Sequence, residues 1–122
     1  MSLGGGRYYD NCDAQESARK AVIDNLRSAG IATVIASGNN GFTDSIGAPA
    51  CISSAVSVGS TTESDVVSSF SNSDSNLSLL APGQSINSSV PGGGFAVFNG
   101  TSMATPQVAG AWALLKQQTP SG

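Results

Sequence analysis

One serine in the last quarter of the chain stands where a nucleophile could be presented. Ser102 lies within residues 99–106 (NGTSMATP), on a turn that directly precedes an apolar run typical of a helix. At a helix N-terminus a hydroxyl oxygen is close to unpaired backbone N–H groups and to the positive end of the helix dipole, and both stabilise nearby negative charge. A serine at such a place is more often an ordinary helix cap, so both interpretations stay open.

The chain contains no histidine among its 122 residues. A Ser-His-Asp triad needs an imidazole to take the proton of the serine. This polypeptide alone therefore cannot hold a complete triad, whatever the role of Ser102.

An asparagine follows a predicted buried strand. Asn39 lies in residues 36–41 (ASGNNG), at the end of the β-branched run 31–36 (IATVIA). At the carboxyl edge of a parallel sheet its side-chain amide can project toward a bound molecule. The simpler interpretation is a turn residue that tolerates a left-handed conformation.

A helix, a short turn and a buried strand suggest a β-α-β unit if residues 1–3 end the preceding strand, which predicts an α/β fold with a parallel sheet flanked by helices. We expect a helix with Asp13 as its cap, Glu16 in a capping box, and Gly30 at its end. Its apolar stripe would consist of Ala18, Val22, Leu26 and Ala29. Buried strands are predicted at 31–36, 55–59 and 77–80, with residues 1–3 as the end of a preceding strand, shorter strands at 86–90 and 95–98, a surface loop at 68–78, and a buried helix from Thr101 onward.

Composition narrows the class of function. The formal net charge is −3 and only 11% of residues are charged, so we expect no nucleic-acid partner. The apolar runs are far shorter than the roughly 20 residues that span a bilayer, so we expect no membrane insertion. The length fits one globular domain or part of one.

Cys12 and Cys51 form an even pair in a charge-poor, Ser/Gly/Asn-rich sequence. This composition favours a secreted protein with one disulfide. Two buried thiols that pack as small hydrophobic groups are the alternative. Two cysteines without histidine make a poor metal site.

Three segments resemble motifs of the subtilisin-like serine proteases, or subtilases. Residues 100–106 (GTSMATP) resemble the nucleophile motif, 36–41 (ASGNNG) the segment with the oxyanion-binding asparagine, and 1–6 (MSLGGG) the strand that pairs with extended substrates. The resemblance implies a subtilisin-like fold and a serine endopeptidase that acts on polypeptides. Ser102 would be the nucleophile, and Asn39 with the Ser102 N–H would stabilise the oxyanion.

The resemblance also implies a substrate-binding set and a few structural details. Pro49 matches a proline that is commonly cis, and Cys12 would be bridged to Cys51 at the rim of the specificity pocket. We expect no cofactor and no firmly bound metal, although weak calcium sites built from carbonyls occur in some relatives. The residues implied in substrate binding are Ser2, Leu3 and Gly4 on one side of the pocket, Ala36, Ser37, Gly38 and Gly47 on its other walls, and Asn99 and Thr101 beside the nucleophile.

The sequence departs from the family in two respects. Gln107 replaces a histidine that relatives usually carry after the motif proline, and the triad order Asp, His, Ser would put both missing members upstream. We therefore expect residues 1–122 to be a partial catalytic domain that lacks the Asp and His segments and is inactive alone. Such a half-domain would expose apolar surface and could self-associate.

Two other classes of function are alternatives to a protease. A non-catalytic pseudo-protease that retains the groove for peptide binding is the main alternative, and the upstream sequence would distinguish it from a protease. An α/β-hydrolase-like esterase is disfavoured because the Gly-x-Ser-x-Gly elbow is absent at Ser102. For the whole protein the expected location is extracellular.

Overall fold

A computed structural model of the chain describes residues 1–120. Within these residues it forms two helices and seven strands. In chain order they are β1 (Arg7–Tyr8), α1 (Ser17–Ser28), β2 (Val34–Ala36), β3 (Ile46–Gly47), β4 (Val56–Thr61), β5 (Leu79–Pro82), β6 (Ile86–Val90), β7 (Gly94–Phe98) and α2 (Thr101–Gln118).

A three-stranded parallel sheet forms the centre of the structure, in the order β2-β4-β5. Next to β2, on the edge away from β4, the Met1 carbonyl accepts a hydrogen bond from the Ala36 N–H at 3.1 Å, and the Met1 amino group donates to the Val34 carbonyl. This pattern is that of a parallel ladder. Residue 1 thus continues the sheet, although no regular strand forms there.

The sheet separates two hydrophobic clusters because successive side chains of a strand point to opposite faces. On one face, Val34 and Val58 pack against Ala104 and Val108 of α2. On the other, Ile35 packs with Ile23 of α1 and with the residues around the two cysteines. The helices therefore lie on opposite faces of the sheet, and the predicted parallel α/β arrangement is confirmed.

A disulfide joins Cys12 to Cys51, with a Cα–Cα distance of 5.4 Å. Both cysteines are buried, and the Cys12 N–H donates to the Cys51 carbonyl at 3.0 Å. Next to the bridge, the carboxylate of Asp13 accepts hydrogen bonds from the N–H and the hydroxyl of Ser53. This crosslink fastens the segment before α1 to the segment before β4.

Helix α1 differs from the prediction at its start and in its buried face. Asp13 does not cap it, because its carboxylate is engaged by Ser53, and the helix begins at Ser17 without a side-chain cap. Glu16 pairs with Arg19 instead of closing a capping box. Ile23 is the buried residue of the helix, whereas Val22 of the predicted stripe is 59% exposed.

Three predictions of burial were also wrong. The strand predicted as buried at 77–80 forms at Leu79–Pro82, where Leu79 and Leu80 are 46% and 45% exposed. Helix α2 is buried only through its first turns, while Leu114 and Leu115 near its end are 68% and 66% exposed. In the segment 68–78, expected at the surface, Ser68, Ser71 and Asn72 are buried. No helix within residues 1–120 is long and apolar enough to cross a membrane.

Candidate active site

Ser102 is the second residue of α2, and Gly100 precedes the helix as its N-cap. Gly100 has φ +157° and ψ +157°, a conformation that glycine alone adopts readily. Among residues 1–120, nothing accepts a hydrogen bond from the Ser102 N–H, and its hydroxyl has no partner. The serine therefore presents both a hydroxyl and a free amide at the positive end of the helix.

Asn39 lies against the same helix terminus. Its Oδ1 accepts hydrogen bonds from the N–H and the hydroxyl of Thr101, each at 2.8 Å. Thr101 is buried, and its hydroxyl also accepts the Gly38 N–H at 3.2 Å. Because Oδ1 is occupied in this way, the Nδ2 group of Asn39 remains as the donor. A Cβ atom added to Gly100 would lie 3.4 Å from that Nδ2 and 3.6 Å from the Ser102 nitrogen.

The turn that carries Asn39 requires glycine at its start. Gly38 has φ +108°, and a Cβ atom there would lie 2.4 Å from Nδ2 of Asn72. Asn72 is fully buried directly behind this turn. Asn72 could not be found from the sequence, because a polar residue in a Ser-rich stretch carries no sign of burial.

The turn at Gly100, directly before α2, is also held by Gly83, the residue after β5. Gly83 accepts a hydrogen bond from the Gly100 N–H at 2.8 Å, and its own N–H donates to the Thr61 carbonyl at 3.1 Å. One turn into α2, the Nε2 group of Gln107 donates to the Pro82 carbonyl at 2.6 Å. Gln107, the departure from the family motif, thus ties α2 to the end of β5.

These segments enclose an open cleft of about 400 Å³ beside Ser102. The Ser2 hydroxyl donates to the Ser102 carbonyl across it at 3.0 Å. The lining residues are Ser2, Leu3, Gly4, Gly5, Ala36, Gly38, Asn39, Asn40, Gly47, Thr101 and Ser102.

Most of the residues implied by the resemblance meet in this cleft, and two do not. Ser37 is buried behind the wall, where its hydroxyl donates to the Asn72 carbonyl at 2.7 Å. Asn99 faces the base of the β6–β7 hairpin, where its Oδ1 accepts the Ser85 N–H at 2.7 Å. The Ala48–Pro49 peptide bond, close to Gly47, is cis.

The cleft carries no charged side chain. After the Asn39 turn, a hydrogen bond from Arg7 and another from Ser45 lower the pKa of Asp44. The Arg7 guanidinium also stacks on the rings of Phe42 and Tyr9, 3.8 Å and 4.6 Å from their centroids. Across residues 1–120, no group of three or more His, Cys, Asp or Glu residues could hold a metal ion.

Known serine proteases are similar to this chain along nearly its whole length. The model of the subtilase family (peptidase S8) matches residues 1–122. Subtilisin E of Bacillus subtilis is 43% identical to the chain over 124 residues, which cover 99% of this chain and 31% of the relative. An intracellular serine protease of Paenibacillus polymyxa is 46% identical over 121 residues, which cover 96% of this chain and 35% of that relative. The chain thus spans about a third of the length of these relatives.

Solved structures agree in fold as well as in sequence. A cold-adapted subtilisin-like serine proteinase superposes with a TM-score of 0.79 at 42% identity, over 97% of this chain and 40% of the other. A mutant of the protease domain of PatA superposes with a TM-score of 0.83 at 32% identity, over 98% of this chain and 44% of the other. By its motifs, its fold and the match along its whole length, the chain belongs to the subtilase family.

Proposed function

We propose that this chain is the nucleophile-bearing part of a subtilisin-like serine endopeptidase. In the reaction, Ser102 Oγ bonds to the carbonyl carbon of a peptide while a base takes its proton, which gives a tetrahedral oxyanion. Collapse of this intermediate breaks the C–N bond, and the leaving amine receives the proton. Water then hydrolyses the acyl-enzyme by the same steps.

The observation that carries the proposal is the approach of Asn39 and the Ser102 N–H to the same helix terminus. Oxyanion stabilisation needs two donors that are fixed before charge develops. The Thr101 hydrogen bonds fix the Asn39 amide at its oxygen, and the position of Ser102 in the first turn of α2 leaves its N–H free. These two features support the Asn39 amide and the Ser102 N–H as the two donors.

The substrate we propose is an extended polypeptide. Residues 2–5 form one side of the cleft and are not part of a regular strand. An extended peptide can pair with such a backbone through main-chain hydrogen bonds, which tolerate many side chains. The uncharged walls favour an apolar side chain before the cut bond.

We further propose that residues 1–122 are a partial catalytic domain and are inactive alone. The support is the absence of histidine from the sequence and the span of about a third of the relatives' length. The base and its orienting carboxylate would then come from the rest of the protein. The exposed apolar residues of α2, Leu114 and Leu115, fit a surface that further chain covers.

An extracellular location is our proposal for the whole protein. The Cys12–Cys51 disulfide supports it, because such bridges persist in oxidising compartments. One of the matched relatives is named an intracellular serine protease, so family membership alone does not determine the location.

A fluorophosphonate probe, which reacts with activated serines, tests the proposal. We expect the whole gene product that contains this chain to be labelled at Ser102, and its Ser102→Ala variant and the chain 1–122 alone to remain unlabelled. Fast labelling of the chain alone would mean that a different base serves Ser102. A whole protein that binds peptides but resists the probe would instead be a peptide-binding module.

A further inference from the structure

The side chain of Asn72 makes every hydrogen bond that an amide can make. Its Oδ1 accepts the N–H groups of Asn40 at 2.9 Å and Phe42 at 3.1 Å. Its Nδ2 donates to the Ser37 carbonyl at 3.2 Å and to Oδ1 of Asn40 at 3.1 Å. A side-chain amide offers two donors and two acceptor lone pairs, so none is left over.

All four of these bonds go to one short turn, which consists of residues 37–42. They reach residues on both sides of Asn39 and leave Asn39 itself untouched. The backbone of the two segments adds three more, from the Asn72 N–H to the Gly38 carbonyl at 2.9 Å, from the Gly41 N–H to the Phe70 carbonyl at 2.8 Å and from the Ser73 N–H to the Phe42 carbonyl at 2.8 Å. The turn is therefore held against residues 70–73.

On the opposite side, Thr101 holds the amide oxygen of Asn39, and its hydroxyl accepts the Gly38 N–H at 3.2 Å. Within residues 1–120, Thr101 makes no hydrogen bond to residues 40–42, which Asn72 binds. We propose that Asn72 is the positioning residue that holds the Asn39 amide at the distance and angle that the oxyanion requires. This inference rests on the proposed peptidase function.

The physical reason is the sensitivity of oxyanion stabilisation to geometry. Without the Asn72 side chain, the N–H groups of Asn40 and Phe42 lose their acceptor, and the turn has a cavity behind it into which Gly38 can move. A donor that is misplaced by even 1 Å costs about 10²-fold in rate. The ground-state substrate does not use this donor fully, so the loss falls on kcat and not on KM.

The test uses the whole gene product and a double-mutant cycle. We expect Asn39→Ala to lower kcat about 10²–10³-fold, the loss found when such a donor is removed from the relative subtilisin. We expect Asn72→Ala to lower kcat about 10–10²-fold with little change in KM. In the Asn39→Ala background, Asn72→Ala should change kcat less than about twofold, because the Asn39 amide that Asn72 positions is already absent. Asn76→Ala is the matched control, since Asn76 is exposed in the same segment.

A nearly isosteric variant covers the case in which Asn72→Ala does not fold. Asn72→Asp keeps both acceptor bonds, but an ionised carboxylate cannot donate to the Ser37 carbonyl, whereas the protonated acid can. The ratio of its kcat to that of the wild type should therefore rise as the pH falls through the pKa of the new carboxyl group. This rise should vanish in the Asn39→Ala background.

Hydrogen exchange gives a readout that does not depend on activity. In Asn72→Ala the N–H groups of Asn40 and Phe42 should exchange faster than in Asn76→Ala, while those of β4 stay protected. Unchanged exchange, unchanged kcat, or additive losses in the double variant would each overturn the inference and leave the peptidase proposal standing. Activity that survives Ser102→Ala would overturn both.

Discussion

An alanine at Gly83 should reveal how tightly the turn at Gly100 is fastened to the sheet. A Cβ atom at this position would lie 2.4 Å from Oγ of Ser60, 2.6 Å from the Gly100 carbonyl oxygen and 2.9 Å from the Ser60 Cβ. Gly83 does not have a positive φ, so the obstacle is space and not backbone conformation. Gly83→Ala thus isolates the effect of a methyl group wedged under the turn.

The size of the effect follows from the 2.6 Å contact. A carbon and an oxygen that are not bonded approach to about 3.3 Å, so the Gly100 carbonyl must retreat by about 0.7 Å. Because Gly100 precedes α2 directly, Ser102 and its N–H move with it. A shift of this size in a reacting group costs about 10–10²-fold in kcat/KM, and the overpacking costs about 1–3 kcal/mol of folding free energy.

The assay is peptide hydrolysis by the whole gene product, together with thermal unfolding of the same variants. Gly94→Ala is the control, because a Cβ atom there has nothing within 4 Å and Gly94 has no positive φ. We expect Gly83→Ala to lose activity and to unfold at a lower temperature, while Gly94→Ala stays close to the wild type. A Gly83→Ala enzyme within twofold of wild-type kcat/KM would refute the reasoning that the contact controls the turn.

Two further predictions concern the frame around the cleft. The Cys12–Cys51 bridge links residues that are 39 positions apart in the sequence. Closing a loop of that length in the unfolded chain contributes about 4 kcal/mol to stability. The Cys12→Ser/Cys51→Ser variant should therefore lose free energy of unfolding of that order in a urea titration. Arg7→Leu should raise the pKa of Asp44 in an NMR titration, because the hydrogen bond from Arg7 contributes most to lowering that pKa. A carboxyl group whose pKa is lowered by folding stabilises the fold above its unfolded value of about 3.9, and this contribution is lost as the pH falls. The pH dependence of stability in that acid range should therefore weaken in Arg7→Leu, and an unchanged Asp44 pKa would contradict the contact.

The parallel sheet could be predicted because its strands are apolar on both faces. Residues 34–36 and 56–58 are rich in β-branched side chains, and the structure puts them side by side in register. The predicted ends were less accurate, since β5 begins at Leu79 and not at residue 77. Strand ends depend on hydrogen bonds to neighbours, which a single sequence does not display.

Burial was the property that sequence patterns predicted least well. A stripe through Val22 looked like the inner face of α1, yet Ile23 is the buried residue because it packs in the same cluster as Ile35 of the sheet. Conversely, Asn72 looked like a surface residue, and it is buried because the Asn39 turn supplies all its hydrogen-bond partners. Both outcomes depend on tertiary contacts that spacing along the chain does not encode.

The residues around Ser102 and Asn39 were predictable only through family motifs. The polar character of Asn39 and the helix start at Ser102 were visible, but nothing in their separation of more than sixty positions indicated contact. Thr101, which joins them, is bonded to Asn39 at 2.8 Å. The two β1–β3 pairs were missed because strands of two residues leave no periodic signal.

The backbone hydrogen bonds beneath the cleft also bear on how the chain ages chemically. Asparagine followed by glycine is prone to deamidation, in which the nitrogen of the next residue attacks the side-chain carbonyl. The sequence has two such dipeptides, at residues 40–41 and 99–100, and in each the glycine N–H donates to a carbonyl, that of Phe70 or of Gly83, at 2.8 Å. A nitrogen whose hydrogen is engaged in this way is poorly placed to attack. The two dipeptides most prone to deamidation are thus protected by the same hydrogen bonds that hold the turns in place. Resistance to deamidation and the geometry of the turns therefore depend on the same hydrogen bonds.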